Sequence, residues 1–255
     1  MIIESVQNEK IKYITRLITD NRFRKKEEVF VVEGKQENQR ALKFGFEAQE
    51  FYIAESIFKD LLPEGKIHLV TNKIYDKIAY RGSSEGIIGI YKTKNTDLKD
   101  FKSKENSSVI IVESIEKPGN LGAILRSCEA FGIDALIITD PKVDFYNPNV
   151  IRSSVGCLFG MNIFYSSNEE LHQYLTNNSY SIYTTIMDTQ AQNIQVRNLK
   201  EKSAVLFGTE HSGLTDFWIG KGKNTIIPMS GSIDSLNLSN AIAICCYEIL
   251  RQKMS

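Results

Sequence analysis

The chain contains 255 residues, of which 42% are hydrophobic and 24% are charged, and its 31 basic residues balance 31 acidic ones. This composition is typical of an ordinary globular protein and leaves room for one large or two small domains. No apolar run approaches the roughly 20 residues that a membrane-spanning helix requires, and the N-terminus lacks the apolar core and cleavage site of a secretory signal. We therefore expect a cytoplasmic protein that spans no membrane.

The cysteines and histidines do not form the patterns of a metal site or a disulfide framework. The cysteines lie in apolar stretches without C-x-x-C spacing, and the histidines are far apart in the sequence. These residues are Cys128, Cys157, Cys245, Cys246, His68, His172 and His211. We expect neither a bound metal nor a disulfide.

Predicted helices and strands alternate in the first 94 residues. The segments NEKIKYITRLI and ENQRALKFG have helical spacing, whereas VFVVEG, EFYIAES, KIHLVT and GIIGIYK are typical of strands. Basic residues are in excess here, with 17 Lys and Arg against 14 Asp and Glu. Residues 1–94 are predicted to form a small α/β domain.

The basic residues of this region are densest in the run RFRKK, at positions 22–26. Four cations around one aromatic ring suit phosphate contacts combined with stacking on a base. Such runs also occur as solvated turns between a helix and a strand. Both interpretations stay open, and the candidate RNA-binding residues are Arg22, Arg24, Lys25 and Lys26.

Residues 95–106, NTDLKDFKSKEN, are polar and show neither helical nor strand periodicity, which predicts a linker. Buried-strand patterns follow at VIIV, ALIIT, NIFYS, YSIYTTI, SAVLFG and NTIIPM. Continuous Val, Ile and Leu runs are typical of a parallel sheet covered by helices. The final segment, LSNAIAICCYEILRQK, predicts a helix buried on more than one side, with a subunit partner as one possible cover. Residues 107–255 are thus predicted to form a second α/β domain.

Three turns in this second domain combine small and polar residues at the ends of predicted strands. They are EKPGNLGAILRSCEAFG at 116–132, LFGTEHSGLT at 206–215 and IIPMSGSIDSLNLSNA at 226–241. Ligands of a parallel sheet gather at the carboxyl ends of its strands, so we expect the three turns to line one pocket. The alternative for each turn is purely structural, with glycines that shape the chain and Ser235 or Asn237 as a helix cap.

The first of these turns differs from a nucleotide-binding loop. A dinucleotide-binding turn needs G-x-G-x-x-G, whereas Gly119 and Gly122 stand three apart with the bulky Leu121 between them. The G-K-[ST] of a P-loop does not occur in the chain. A nicotinamide-dependent oxidoreductase is therefore disfavoured.

The three stretches resemble the motifs of the SpoU, or TrmH-like, family of RNA ribose methyltransferases in the SPOUT class. PGNLGAILRSCEAFG is similar to the first motif, LFGTEHSG to the second and IPMSGSIDSLNLSNAIAI to the third. Residues 1–94 resemble the family's ribosomal-protein-like (L30e-like) substrate-binding domain. The resemblance implies a C-terminal α/β trefoil knot, a homodimer built on the knotted region and S-adenosylmethionine as methyl donor.

The resemblance also implies roles for single residues. The implied catalytic residues are Arg126, Asn120, Glu210, Ser235 and Asn237, the implied cofactor contacts are Gly208, Ile227 and Leu236, and the implied RNA contact is Arg152. A guanidinium keeps its proton at any ordinary pH, so we interpret Arg126 as a fixed cation that stabilises a developing alkoxide, and the proton acceptor stays unassigned. His211 stands where the family usually has a small residue and is not included in the catalytic set.

The implied reaction is transfer of a methyl group to a ribose 2′-hydroxyl of RNA. A separate N-terminal domain favours ribosomal RNA as the substrate. Two alternatives stay open, a transfer-RNA 2′-O-methyltransferase and a non-catalytic RNA-binding or ribosome-assembly protein that keeps the knotted fold. The second alternative would bind RNA without any dependence on the cofactor.

Overall fold

The computed structural model describes residues 2–80, 85–186, 188, 190–233 and 235–255. The chain divides into two compact units, which do not follow a single cut in the sequence. The first unit contains residues 1–95 and 144–160, and the second contains residues 96–143 and 161–255. Within the described ranges, no helix is long and apolar enough to cross a membrane.

The described residues form eight α-helices and twelve strands. The helices are α1 Glu9–Thr19, α2 Asn21–Glu27, α3 Lys35–Lys43, α4 Asn72–Ile78, α5 Pro118–Ala130, α6 Pro148–Ser153, α7 Asn168–Asn177 and α8 Leu238–Met254. The strands are β1 Ile2–Ile3, β2 Val29–Glu33, β3 Ala48–Ile53, β4 Ile67–Val70, β5 Ile87–Lys92, β6 Ser108–Glu113, β7 Ala135–Thr139, β8 Ile163–Ser166, β9 Ser181–Thr184, β10 Gln192–Asn193, β11 Ser203–Phe207 and β12 Lys223–Ile226.

The first unit is built on a mixed sheet with the strand order β1-β4-β3-β5-β2. Strand β5 runs antiparallel to β2 and β3, whereas β4 runs parallel to β1 and β3. Helices α1 and α4 place apolar side chains such as Ile14, Leu17 and Ile74 in one core cluster with strand residues. Each such side chain contributes roughly 1.5–3 kcal/mol when fully buried.

Residues 144–160 complete this first unit, although the sequence analysis grouped them with residues 107–255. The ring of Phe30 on β2 stacks on Tyr146 with centroids 4.2 Å apart, and on Phe159 with centroids 6.0 Å apart. Aromatic pairs of this kind add to the burial of apolar surface. Sequence proximity alone gives no sign of such a contact, because its partners are more than a hundred residues apart.

The second unit is built on a seven-stranded sheet with the order β10-β12-β9-β11-β6-β7-β8, and every pairing in it is parallel. The predicted α/β fold with a parallel sheet is therefore confirmed. All residues of β6, β7 and β11 are buried, which explains their uninterrupted apolar patterns. Because the strands are parallel, their carboxyl ends share one edge.

The structure shows how far two segments singled out in the sequence, the predicted linker and the last helix, are buried within one chain. Leu98–Asp100 form a short 3-10 helix, and Leu98 and Phe101 are buried in the core, so the predicted linker contributes to packing. On α8, Ile244 is 42% exposed and Tyr247 is 55% exposed. Within one chain, this helix therefore keeps an uncovered apolar face.

Candidate active site

The candidate site lies at the carboxyl edge of the parallel sheet, where β6, β11 and β12 end. Helix α5 begins shortly after β6, with Pro118 in its first turn, where the missing N–H has no helical partner to lose. The loop 208–215 follows β11, and the segment 227–237 joins β12 to α8. The three turns identified in the sequence therefore lie at one edge of the sheet.

One carboxylate links these three turns. Asn120 donates from Nδ2 to Oε1 of Glu210 at 2.9 Å, and Asn237 donates from Nδ2 to the same oxygen at 3.1 Å. Asn237 Nδ2 also lies 3.3 Å from Oδ1 of Asn120. The structure thus brings together three of the predicted catalytic residues, one from each motif.

A cation completes this junction. The Nζ of Lys117 lies 2.5 Å from Oε2 of Glu210, and the Lys117 side chain is 63% exposed whereas that of Glu210 is 22% exposed. The ion pair with Lys117, followed by the hydrogen bond from Asn120, lowers the pKa of Glu210, so its carboxylate stays charged at neutral pH. Sequence reasoning missed Lys117, although it directly precedes the PGN of the first motif.

The loop 208–215 closes on itself. Thr209 and Gly213 exchange two backbone hydrogen bonds of 3.0 and 3.1 Å. A Cβ atom on Gly208 would lie 1.9 Å from the backbone carbon of Gly213. Within the chain, the backbone of the loop itself therefore packs against Gly208. This close packing explains why the position requires glycine.

The far end of the loop is held by a second carboxylate, that of Glu113, which is buried at the end of β6. Thr215 donates to it from its backbone N–H and from its hydroxyl, both at 2.8 Å. Asn168 donates from Nδ2 at 2.5 Å. Sequence reasoning missed Glu113; a carboxylate that ends an otherwise apolar strand was the available signal.

The predicted residues around α8 have mixed environments. Asn237 is the N-cap of α8 and accepts from the backbone N–H of Ser239 at 3.0 Å, so it acts as a cap and as part of the Glu210 junction. Ser235 is exposed and forms no hydrogen bond with any described residue. Ile227 and Leu236 are half-buried.

Arg126 is exposed on α5. It forms no hydrogen bond or ion pair with any residue that the structure describes, so the structure does not join it to the Glu210 junction. Its guanidinium is available to a ligand that enters from solvent. In the described part of the chain, no group of three His, Cys, Asp or Glu side chains is placed to hold a metal ion.

The predicted RNA-binding run forms helix α2, so the interpretation of this run as a turn was wrong. The prediction for Arg24 is also wrong, because its side chain is only 3% exposed. Its Nε lies 3.2 Å from Oδ2 of Asp144, and its Nη1 donates to the carbonyl of Leu17 at 2.7 Å. Arg24 is a structural residue of the first unit.

The other predicted RNA-binding residues lie on the surface or on a different element. Arg22, Lys25 and Lys26 are exposed on α2, and none of their side chains forms a hydrogen bond or ion pair with a described residue. Arg152 is exposed in the last turn of α6, which belongs to the first unit.

Comparison with known proteins identifies both parts of the chain. Residues 107–247 match the model of the SpoU rRNA Methylase family, and residues 8–89 match that of an MRM3-like substrate binding domain. The chain is 24% identical over 250 residues to the 23S rRNA (guanosine(2553)-2′-O)-methyltransferase RlmP of Bacillus subtilis. This alignment covers 97% of the present chain and 98% of RlmP.

Solved structures agree with these matches. The crystal structure of an RNA 2′-O ribose methyltransferase has a TM-score of 0.86 and 30% identity and covers 100% of both chains. The SpoU methyltransferase AviRb from Streptomyces viridochromogenes, in complex with AdoMet, has a TM-score of 0.88 at 21% identity over 98% of this chain and 99% of that chain, which shows a shared fold. With three matching motifs that meet at one edge of a parallel sheet, the chain belongs to the SpoU rRNA methylase family.

Proposed function

We propose that the chain is an S-adenosylmethionine-dependent methyltransferase that modifies a ribose 2′-hydroxyl of ribosomal RNA and acts in the cytoplasm. The observation that carries this proposal is the junction at Glu210, which joins the loops after β6, β11 and β12 through Asn120 and Asn237. The ribosomal substrate is supported by the 23S rRNA 2′-O-methyltransferase activity in the name of the Bacillus subtilis relative.

The segment after β12 fits the adenosine part of S-adenosylmethionine. The backbone of residues 227–233 forms no hydrogen bond with any described residue, so its C=O groups, and its N–H groups other than at Pro228, would be available to an adenine edge. Ile227 and Leu236 supply partly exposed apolar surface for the adenine faces. Gly208 and its closed loop would form the opposite wall.

The residues around this segment meet the requirements of 2′-O-transfer. Bound S-adenosylmethionine supplies an electrophilic methyl group on a positively charged sulfur. Arg126 presents a permanent positive charge, which orients the ribose and its phosphate and stabilises negative charge that develops on the 2′-oxygen. The 2′-oxygen must lie in line with the methyl group, so orientation is itself a large contribution to the rate.

The Glu210 junction positions the reaction partners. Glu210 holds the amides of Asn120 and Asn237 in fixed directions, and Lys117 fixes Glu210 in turn. Ser235 lies two residues before Asn237 with a free hydroxyl, which suits a hydrogen bond to the ribose. The junction would therefore hold the loops after β6, β11 and β12 in fixed positions when a cofactor binds between them.

The first unit would bind the RNA. Residues 8–89 match a substrate-binding domain, and we propose that residues 1–94 form this domain with an L30e-like fold. Its contacts would come from Arg22, Lys25 and Lys26, whose charges have no partner among the described residues, and from Arg152. Contacts of this kind go to phosphates and depend strongly on salt.

We further propose that residues 107–255 contain the family's trefoil knot and form a homodimer through it. Strand β11 lies between the earlier strands β6 and β9, so the chain crosses over to reach this position. The exposed Ile244 and Tyr247 on α8, which packs beside α5, support a second copy as the cover. Sedimentation of the wild type and of a Tyr247→Glu variant would test the dimer, because a buried carboxylate there should yield monomers.

The decisive experiment uses RNA from cells that lack the gene, because such RNA is not yet modified. The purified protein is incubated with methyl-labelled S-adenosylmethionine, the ribosomal and transfer RNAs are separated, and the nucleosides are identified by mass spectrometry. Label in a 2′-O-methylnucleoside of ribosomal RNA is expected. Label only on a base would overturn the assignment, and label only in transfer RNA would favour the alternative substrate.

A non-catalytic role gives a different result. In that case no label is transferred to any RNA, and S-adenosylhomocysteine neither binds the protein nor alters its affinity for RNA. Calorimetry with S-adenosylhomocysteine therefore separates the enzyme from a scaffold protein that keeps the fold.

A further inference from the structure

The first unit carries an open groove of about 480 Å³ on the outer surface of α1. It is lined by Glu9, Lys10, Lys12, Tyr13, Arg16 and Phe23. The groove is distinct from the carboxyl edge of the parallel sheet, which belongs to the second unit.

The floor of the groove is aromatic. Tyr13 and Phe23 meet edge to face, with ring centroids 5.5 Å apart and planes at 79°. Both rings are half-buried and pack against the core cluster of the unit, so their positions are fixed by packing. Fixed rings with an accessible face can receive another flat group at little entropic cost.

One flat group already lies on this floor. The guanidinium carbon of Arg16 is 4.0 Å from the centroid of the Phe23 ring. The Nε atom of Arg16 also makes a long contact, of 3.5 Å, with a carboxylate oxygen of Asp20. The Arg16 side chain is 61% exposed, so an incoming group can cover it or displace it from the ring. A planar ring placed on Arg16 or in its position would extend the stack.

Charges of both signs lie around the groove: the acidic Glu9 lines it, and burial followed by the nearby carboxylate of Glu27 raises the pKa of Tyr13. Lys12 is paired with Glu9 at 2.8 Å, and Lys10 lies 3.3 Å from His68. On the adjacent helix α2, however, Arg22, Lys25 and Lys26 have no partner among the described residues. An aromatic groove next to a helix that carries three exposed cations without described partners suits a planar base attached to phosphates.

We propose that this groove, formed by Tyr13, Arg16 and Phe23, binds an unstacked nucleobase of the RNA, while Arg22, Lys25 and Lys26 contact the flanking phosphates. This assignment rests on the proposed function. It specifies that the first unit recognises a single-stranded nucleotide of the RNA. Bases in a duplex are stacked on their neighbours and cannot enter such a groove, whereas a loop or bulge presents them. The stack is tolerant of base identity because every base has a π-face.

The test separates stacking from charge. The full chain, without cofactor, is titrated with an oligouridylate of about 12 nucleotides and with an abasic RNA of the same length, in a series of salt concentrations. Both probes carry the same phosphates, so the ratio of their dissociation constants reports the contribution of the bases. We expect the oligouridylate to bind about tenfold more tightly or better.

Variants assign the two effects to their residues. Phe23→Leu keeps apolar volume against the core, and Arg16→Gln changes an exposed residue, so each should reduce the ratio towards one with little change in the salt dependence. The triple change R22Q, K25Q and K26Q should lower the slope of log K against log salt by about 2 and leave the ratio intact. Phe44→Leu removes another exposed aromatic ring of the first unit, with Lys43 5.7 Å from its centroid, and should change neither.

Equal affinity of the wild type for both probes would overturn the proposal, as would an unchanged ratio in Arg16→Gln. These results do not depend on the folding of the Phe23 variant. Base-dependent binding in a protein that transfers no methyl group would count against the proposed function alone. Base-independent binding in an active enzyme would count against the groove alone, as would an active enzyme that binds neither RNA.

Discussion

Arg126 is the only member of the predicted catalytic set whose importance rests on charge without any contact inside the described chain. Removing it should therefore spare the fold and affect only the reaction. We expect Arg126→Ala to lower kcat by about 10²-fold or more, because a fixed cation near developing charge contributes on this scale. Single-turnover kinetics would measure the loss, and calorimetry should find the affinity for S-adenosylhomocysteine little changed. An Ala variant with a near-normal rate would exclude Arg126 from catalysis.

Gly208 gives a second prediction at the scale of one residue. A methyl group there would meet the backbone of Gly213 at 1.9 Å, and neither segment can move without opening the loop. We expect Gly208→Ala to destabilise the chain by about 1–3 kcal/mol in urea unfolding and to weaken cofactor binding. Gly119→Ala is the matched control, because a Cβ there meets nothing within 4 Å and alanine favours the helix. Equal stability of both variants would contradict the proposed close packing.

Single residues also show where sequence reasoning reached its limit. Asn120, Glu210 and Asn237 were identified from motifs, and they do meet in the structure. Arg24 was misjudged because a basic run does not reveal which of its members points inward. Lys117 was missed because an ordinary surface lysine acquires a partner 93 residues away only through the fold.

Among the elements, the loop 208–215 is linked to α5 by a charged contact. The ionised form of Glu210 makes the ion pair with Lys117, and its pKa is lowered, so this form persists at neutral pH and is lost only as the pH falls through the lowered value. We expect Glu210→Gln to raise the dissociation constant of S-adenosylhomocysteine about tenfold, since hydrogen bonds to a charged group are lost. Hydrogen exchange should increase in the loop and in residues 227–237.

A pH series sharpens this prediction. In the wild type, cofactor affinity should be constant from neutral to mildly acidic pH and should fall only below the usual carboxyl range. The Gln variant should lack this acid limb. If the acid limb were the same in both proteins, another group would have to be responsible.

The contact between α2 and the segment 144–160 rests on a buried ion pair. The side chains of Arg24 and Asp144 are 3% and 7% exposed, so removal of one partner leaves the other as an unpaired charge in the interior. We expect Asp144→Asn to cost about 3–5 kcal/mol of unfolding free energy, whereas the double change Arg24→Met with Asp144→Asn should recover most of it. The exposed pair of Lys92 and Glu47 is the control, and Glu47→Gln should cost less than about 1 kcal/mol. Additive costs would refute the coupling.

At the scale of the whole molecule, the hydrogen-bonded cluster around Glu50 should make the stability of the first unit sensitive to acid. Burial raises the pKa of Glu50, but hydrogen bonds from Tyr52, His68 and Lys66 outweigh it and lower the pKa to about 2 from an ordinary value of 4.5. The resulting stability is complete above pH 4.5 and is lost as the pH falls towards 2. We expect the acid-induced decrease in the free energy of unfolding to be roughly 2 kcal/mol smaller in Glu50→Gln than in the wild type.

Urea unfolding between neutral pH and pH 3 would measure this effect in the transition of the first unit. Glu64→Gln is a control, because Glu64 is exposed and has no partner among the described residues. The same acid dependence in the Glu50 variant and the wild type would show that the cluster around Glu50 does not contribute.

The sequence predicted the two α/β regions and the parallel sheet because both leave local traces, such as apolar runs and glycine-rich turns. The inclusion of residues 144–160 in the first unit leaves no such local trace in the sequence. Arg24 and Asp144 are 120 residues apart, and Phe30 and Tyr146 carry no pattern that pairs them. Contacts of this kind arise only when the chain is folded in three dimensions.

The return of residues 144–160 to the first unit makes this protein hard to dissect. A fragment that stops at residue 95 would leave the guanidinium of Arg24 unneutralised and one face of Phe30 bare, so it should aggregate when expressed alone. End-to-end fusion of the first unit to another protein would therefore fail unless the donor supplied both stretches of polypeptide. Recombination that exchanges whole N-terminal halves between relatives faces the same obstacle.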